Sequence, residues 1–262
     1  YITVTGSFTA SEDKTIDINL VSAGEAWDGT SKNEPAQQNG VYQISNAAEF
    51  AWFADKVNDG NEDISAILTA NINLNGKTWK GFGTYDYSDE TNGFSGTLDG
   101  NWKTISGLKG KNGIVDCLSV NGIIKNLYVD GNVSGTANVG GIANTSRGTI
   151  ENCVFSGSVS NSSNSGSTAG IAGRALAGNK VKNCVNKAAV ANTTSSYGST
   201  LNVGGIVGYT YGTVENCYSV GKISTKEDRT TNKAIGGIAG QVYASAVIAN
   251  SYSAGKVTGP KA

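Results

Sequence analysis

From about residue 122 onward, short apolar runs alternate with polar breaks centred on glycine and asparagine, and the same arrangement keeps returning. The segment NVGGIVGYTYGTVENCYSVGKI (202–223) recurs upstream as NVGGIANTSRGTIENCVFSGSV (138–159) and, more loosely, as STAGIAGRALAGNKVKNCVNKAAV (167–190). It recurs downstream as AIGGIAGQVYASAVIANSYSAGKV (234–257), and GIIKNLYVDGNV (122–133) carries its second half alone. The shared asparagines, Asn126, Asn152, Asn183, Asn216 and Asn250, are spaced 26, 31, 33 and 34 residues apart. Self-similarity at such a period predicts a solenoid, whose units bury their apolar faces against their neighbours.

Each repeat reads as three short strands, VGGIVG, TVENCYS and a third starting at Lys222-Ile223. The glycines between them are expected to supply the positive φ angles of sharp corners. Apolar positions hold from copy to copy: Ile142, Ile171, Ile206 and Ile238, then Ile150, Val181 and Val214, then Val133, Val159, Val190, Ile223 and Val257. No apolar set recurs at helical spacing, and Gly, Ser, Thr and Asn are dense, so a helical reading fails. Equivalent residues stacked in register at about 4.8 Å make an all-β fold, a parallel β-helix. Crossover handedness selects the right-handed form.

Upstream the pattern changes. Residues 1–24 hold two alternating stretches, ITVTGSFTA and KTIDINLVS, which read as strands of a preceding domain or of the solenoid edge. Within 25–62, the stretch 27–40 is polar and aperiodic and reads as a loop, whereas NAAEFAWFADKVNDG (46–60) reads as an amphipathic helix. Asn46 caps it, Glu49 completes a capping box, Gly60 stops it, and Phe50, Phe53, Ala54 and Val57 share one face. An open solenoid end exposes core and strand edges, so this helix is expected to cap the N-terminal end of the β-helix. The repeats proper are assigned to 63–262, with Ile67, Ile72, Leu74, Phe94, Leu98, Ile105 and Leu108 inward in the first, less regular turns.

The motifs WDGT at Trp27, GVYQISNAAEFAWFADKVN (40–58), ILTANINLNGKTW (67–79) and GFSGTLDGNWKTISGL (93–108) stand upstream of the VGGI-x-G and ENC-Y-x-x-G-x-V units. In that order the chain resembles the GLUG-motif cell-surface proteins. The resemblance implies a secreted or surface-anchored bacterial, adhesin-like protein, or the non-catalytic β-helical part of a larger one such as an immunoglobulin-A-type metalloprotease. It supplies no catalytic residue. Gly113-Ile114-Val115-Asp116 and Ala143-Asn144 depart from the pattern at two turns.

Composition narrows the chemistry. The 20 Lys plus Arg nearly cancel the 21 Asp plus Glu, so no strong field invites nucleic acid. No apolar run approaches the roughly 20 residues of a membrane span, and the expectation is no membrane insertion. Without an initiator Met or a signal peptide, the chain reads as a fragment of a larger protein carrying further domains. Histidine is absent, which removes Ser-His-Asp, Cys-His and HExxH sites, and no cofactor or metal is expected. The acidic stretch with Asp86, Asp89 and Glu90 lacks the EF-hand spacing. Glu151 and Glu215 share a repeat position two turns apart, about 9.6 Å, just beyond the range of about 6.5–9.5 Å for inverting glycosidases. Cys153, Cys184 and Cys217 share another, and stacking at about 4.8 Å exceeds the Cβ separation of about 3.5–4.5 Å that disulfides prefer. They are expected to be buried thiols, which requires a bend at the shared asparagine so that Ile150 and Cys153 face the same way.

The inserts between repeats lengthen from 134–138 to 160–168, 191–202 and 224–234, and insertions at one solenoid position emerge along one edge. The chain reads as an adhesin-like module or a stalk-like spacer with flexible loops, and that polar comb is its candidate ligand-contacting face, with Asn161, Asn164, Thr194, Tyr197, Lys226 and Arg229 as candidates. Its expected partner is a glycan or protein of a host or neighbouring cell. The alternative is carbohydrate binding or processing, with Tyr218 and Tyr252 on an outer aromatic stripe beside Val154 and Val185.

Overall fold

The shared asparagines are where the backbone turns. In the computed structural model, which describes residues 24–84, 93–194, 201–226 and 233–259, Asn126, Asn152, Asn183, Asn216 and Asn250 all have φ between 47° and 54°. Asparagine tolerates this left-handed conformation better than most non-glycine residues. The turn brings Ile150 and Cys153, three positions apart, to the same buried wall. The asparagine side chains then stack. Asn126 Nδ2 donates to Asp99 Oδ1 (3.1 Å), Asn152 to Asn126 (2.9 Å), Asn183 to Asn152 (3.0 Å) and Asn216 to Asn183 (3.2 Å).

Replacing Asn183 tests both roles of the ladder. Asn183→Gly keeps the turn and loses two hydrogen bonds, for an expected cost of about 1–2 kcal/mol. Asn183→Ala adds a left-handed penalty of about 1–2 kcal/mol. Urea unfolding should therefore rank wild type above the glycine variant and the glycine variant above the alanine one. Equal midpoints for the two variants would mean that the turn is not held left-handed.

Outside one hairpin, the strands pair in parallel, each with its counterpart in the adjoining repeat. They form three sheets. In the largest, Ile123–Gly135 and Thr149–Asn161 run side by side without a break in register. A second holds Val115–Leu118, Ala143–Ser146, Ala172–Ala175, Val207–Thr210 and Ala239–Val242, and a third holds Val139–Gly140, Gly166–Ala169, Leu201–Gly204 and Lys233–Gly236. VGGIVG is thus two strands in different sheets, not one, and TVENCYS is split at Asn216-Cys217 into Thr213–Glu215 and Tyr218–Ser219.

The glycines of VGGI act differently from the expectation. Gly204 and Gly205 are not among the residues with positive φ. They are glycine because backbone passes close to them: a Cβ on Gly204 would lie 1.9 Å from the Val207 carbonyl oxygen across the same corner, and one on Gly205 would lie 2.1 Å from that of Gly237 in the adjoining repeat. The second glycine of each VGGI-type unit also receives an inward side chain from the opposite wall, Phe155 at Gly141, Asn186 at Gly170 and Ser219 at Gly205.

The core is a set of rows. Ile142, Ile171 and Ile206, then Ile150, Val181 and Val214, then Val133, Val159, Val190 and Ile223 are buried, as are Cys153, Cys184 and Cys217. The rows thin out in the last repeat, where Ile238 is half-buried and Val257 exposed. All four cysteines are free. Burial pushes the Cys117 thiol up to about 11, and Cys184 is raised chiefly by the same cause. Cys217 is raised first by its hydrogen bond with Cys184 and then by burial.

At the other end α1 (Ala47–Asn58) forms as its sequence dictates. Asn46 accepts from the Glu49 N–H, while Glu49 reaches back to the Ser45 N–H rather than to Asn46, and Gly60 follows with φ +96°. Phe50 stacks on Trp79 at 4.8 Å, and Phe53 meets Phe82 and Phe94 edge-on at 5.8 and 6.0 Å, so the helix closes the first turns with an aromatic layer. Two readings here are corrected. Ala36–Gln38, placed in a loop, is a strand antiparallel to Val41–Ile44, joined through Asn39-Gly40, both with positive φ as an Asn-Gly hairpin turn requires. Ile67 is half-buried while its neighbours Ala66 and Leu68 are core, since a one-residue shift in a strand exchanges its faces. Residues 1–23 lie outside the described part.

Candidate functional site

The residue at the position after the third glycine of each VGGI-x-G unit stacks in register, Thr145, Arg174, Tyr209 and Gln241, with Thr145 buried and the other three half-buried. Arg174 Nε donates to the Tyr209 hydroxyl at 2.5 Å, and its guanidinium carbon lies 5.4 Å from that ring's centroid. Two positions further on, Tyr211 and Tyr243 stack at 3.9 Å with 13° between their planes, and Tyr209 meets Tyr243 at 5.6 Å and 74°. Loss of water around Tyr211, together with the adjacent Tyr243 hydroxyl, holds its phenol above the usual value.

Arg174, Tyr209, Gln241 and Tyr243 form one wall of a groove of about 450 Å³, and the bases of the inserts form the other, through Asn138, Ser165, Ser167 and Asn202. A depression of about 280 Å³ adjoins it, sharing Thr136, Ala137 and Asn138 and adding Lys111, Asn112, Asp116 and Asn144. In that depression Asn144, which replaces the repeat glycine, accepts from the Gly140 N–H (3.1 Å) and donates to Asn112 Oδ1 (2.8 Å) and Asp116 Oδ1 (2.9 Å). Two buried amide oxygens on the main groove, Asn202 Oδ1 and Gln241 Oε1, have no hydrogen-bond partner among the described residues.

The candidates named from sequence divide. Asn161 is fully buried, donating to the Ala137 carbonyl oxygen (2.6 Å) and accepting from the Ser163 N–H. Thr194 is buried too, its N–H bound to Asn192 Oδ1. Both tie the insert bases to the wall, so neither presents its side chain outward. The sequence shows that they follow the third strand, but not that the chain turns back there. Asn164 and Lys226 are exposed, whereas Tyr197 and Arg229 lie outside the described residues.

Tyr218 and Tyr252 stack at 5.3 Å on the large sheet, in the row Tyr128, Val154, Val185, Tyr218, Tyr252. Trp102, 56% exposed and at φ +59°, tilts against Tyr128 at the far end of that row. Sequence reading missed Arg174, Gln241 and Tyr243. The signal for Arg174 and Gln241 was the shared repeat position after the third glycine, and for Tyr243 the position two further on that it shares with Tyr211, visible only once the units are aligned.

Catalytic arrangements gain nothing. Glu151 and Glu215 do share a row, but it runs Asp99, Lys125, Glu151, Lys182, Glu215, with a lysine between the two carboxylates. Lys125 Nζ lies 3.4 Å from Asp99 Oδ2. Among the described residues no three His, Cys, Asp or Glu side chains gather as a metal site would require. Asp86, Asp89 and Glu90 lie outside them.

The fold and its outward rows define, among the described residues, a mostly β protein of stacked parallel repeats with one covering helix. Comparison with known proteins adds that the chain carries the GLUG motif, matched at residues 199–224 and 231–258. It is 30% identical over 167 residues to halomucin of Haloquadratum walsbyi, covering 57% of this chain and 2% of that protein. It is 27% identical over 245 residues to the immunoglobulin A1 protease of Streptococcus sanguinis, covering 87% of this chain and 13% of that protein. A crystal structure from Bacteroides ovatus, provisionally described as an immunoglobulin A1 protease, superposes with a TM-score of 0.67 at 24% identity, over 92% of this chain and 70% of that one. The chain thus spans a small fraction of either curated relative, and the solved structure speaks to the fold alone. No helix among the described residues is long and apolar enough to cross a membrane.

Proposed function

We propose that this chain is a right-handed parallel β-helix serving as a non-catalytic, adhesin-like module of a secreted or surface-attached bacterial protein, and that it meets its ligand along the insert edge. Parallel register from repeat to repeat supports the β-helix, and right-handed crossover is the rule for parallel strands. The similarity to an immunoglobulin A1 protease supports an extracellular setting, because an antibody is met outside the cell. The observation that carries the ligand assignment is the groove itself. Inserts and the outward row Arg174, Tyr209, Gln241 converge on one concave strip, where convergent polar and aromatic groups mark binding sites. The proposed division is a covered N-terminal part at 25–62 and repeats from 63 onward, with further domains of the same protein beyond this chain.

The second reading, carbohydrate recognition on the outer face, is favoured by Trp102. A bulky residue held left-handed and exposed is a strained feature of the kind retained at functional sites. Binding to a panel of glycans and matrix proteins separates the two. The double variant Tyr209→Ala/Tyr243→Ala should lose at least tenfold in affinity with its melting midpoint within a few degrees of wild type, and Trp102→Ala/Tyr252→Ala should not. The reverse pattern would move recognition to the outer face.

A further inference from the structure

The groove carries a guanidinium, is elongated and is lined by side-chain amides and hydroxyls, and these three properties together narrow its occupant. Among the described residues its lining includes Arg174 and neither Asp nor Glu. The adjoining depression contributes Lys111, and its one carboxylate, Asp116, is engaged by Asn144 Nδ2. The strip extends from the Val115–Leu118 strand to Ala239–Val242, four strand spacings, or about 19 Å at about 4.8 Å each. Small metabolites do not need such length.

A linear polymer lying there crosses the strands instead of running along them. A peptide in that direction cannot add to the sheet, because strand addition needs a free edge parallel to it, and so it would forgo the main-chain ladder that gives such complexes their affinity. A saccharide chain needs no such ladder. Its hydroxyls donate to amide oxygens, and its ring faces pack on aromatic side chains. Asn202 Oδ1 and Gln241 Oε1 are buried acceptors without a donor among the described residues, a state that costs about 1–3 kcal/mol each until a donor arrives. Asn202 is 5% exposed, so small side-chain shifts as a sugar hydroxyl enters would complete the contact. Tyr209 and Tyr243 supply the aromatic surface. Arg174 supplies a planar guanidinium suited to carboxylate or sulfate.

We propose that the insert-edge groove binds an anionic linear polysaccharide, with Arg174 on its acidic group and Asn202 and Gln241 accepting from its hydroxyls. The proposal rests on the reading of this edge as the ligand face. The test measures binding of the whole chain to polygalacturonate, to chondroitin sulfate and to neutral dextran, alongside a matrix-protein panel.

The expected result is that at least one anionic polymer binds, dextran binds at least tenfold more weakly, and affinity falls as salt rises. Binding of polygalacturonate alone assigns the acidic group to a carboxylate, and binding of chondroitin sulfate alone assigns it to a sulfate. Arg174→Gln should weaken binding at least tenfold with an unchanged melt. Ser165→Asp, which sets a repelling charge on the opposite wall without touching Arg174, should do the same and stands in if the first variant misfolds. Dextran binding as tightly as the acidic polymers, or acidic binding indifferent to both substitutions, would overturn the proposal. Capture of a matrix protein at this groove with no polysaccharide bound would overturn the ligand class and leave the edge as the ligand face, whereas binding of nothing on the panel would overturn both.

Discussion

Ile206→Asp is expected to abolish cooperative folding at neutral pH. Ile206 is fully buried between Ile171 and Ile238, whose backbones it bridges through the Ile171 N–H to its own carbonyl (3.2 Å) and its own N–H to the Ile238 carbonyl (2.9 Å). Its row lies between two facing walls with no cation among its neighbours in the row, so a carboxylate there would be buried without a partner. Uncompensated buried charge costs about 3–5 kcal/mol, a large part of the whole stability of an ordinary domain. Circular dichroism melting checks this, with Ile206→Ala as the reference. The alanine variant loses packing alone, about 2–5 kcal/mol, and should still melt cooperatively. A soluble aspartate variant with a sharp melt near wild type would mean that the row faces outward.

Gly205→Ala should be nearly as damaging although it adds one methyl group. The added carbon would lie 2.1 Å from the Gly237 carbonyl oxygen and 2.3 Å from Ser219 Oγ. The first of these is backbone of the adjoining repeat, so relief requires the two repeats to move apart. Overpacking usually costs about 1–3 kcal/mol and more where backbone must move, and a loss above about 3 kcal/mol is expected by urea unfolding. Gly40→Ala is the contrast, because a Cβ there meets nothing within 4 Å but φ is +78°. Its expected cost is only the left-handed penalty of about 1–2 kcal/mol. Similar losses in the two variants would show that both glycines serve the same conformational need.

That contrast shows where a single chain of letters is ambiguous. Gly205 and Gly40 are the same residue, one kept for closeness and the other for φ, and only the position of the opposite wall distinguishes them. The asparagine ladder was legible as a repeat and as a bend, because Ile150 and Cys153 cannot otherwise share a wall. Its side-chain hydrogen bonds were not, since they join residues 26 to 33 positions apart. The helix was read almost to its ends because capping is local, and its covering role followed from its apolar face. Ile67 went wrong for the opposite reason: an irregular strand without a repeat to align has no marker of phase.

The candidate site divides along the same line. The edge from which the inserts emerge was readable from their lengths, and Asn164 and Lys226 do lie exposed on it. Asn161 and Thr194 were drawn from the same polar composition and are buried, because a polar side chain at a turn can satisfy the backbone instead of facing water.

By itself the sequence determined the repeat, its parallel stacking, the buried rows with their free thiols, and the helix over the first turns. Each follows from periodicity or local capping, which a linear chain carries explicitly. Only the tertiary structure decided that VGGI glycines mark wall-to-wall contact, and that Arg174, Tyr209, Gln241 and Tyr243 meet the insert bases in one groove. Those relations join residues separated in the chain, 14 positions for Gly205 and Ser219 and 35 for Arg174 and Tyr209, that lie a few ångströms apart in space, and the distance between two walls is not written in either of them.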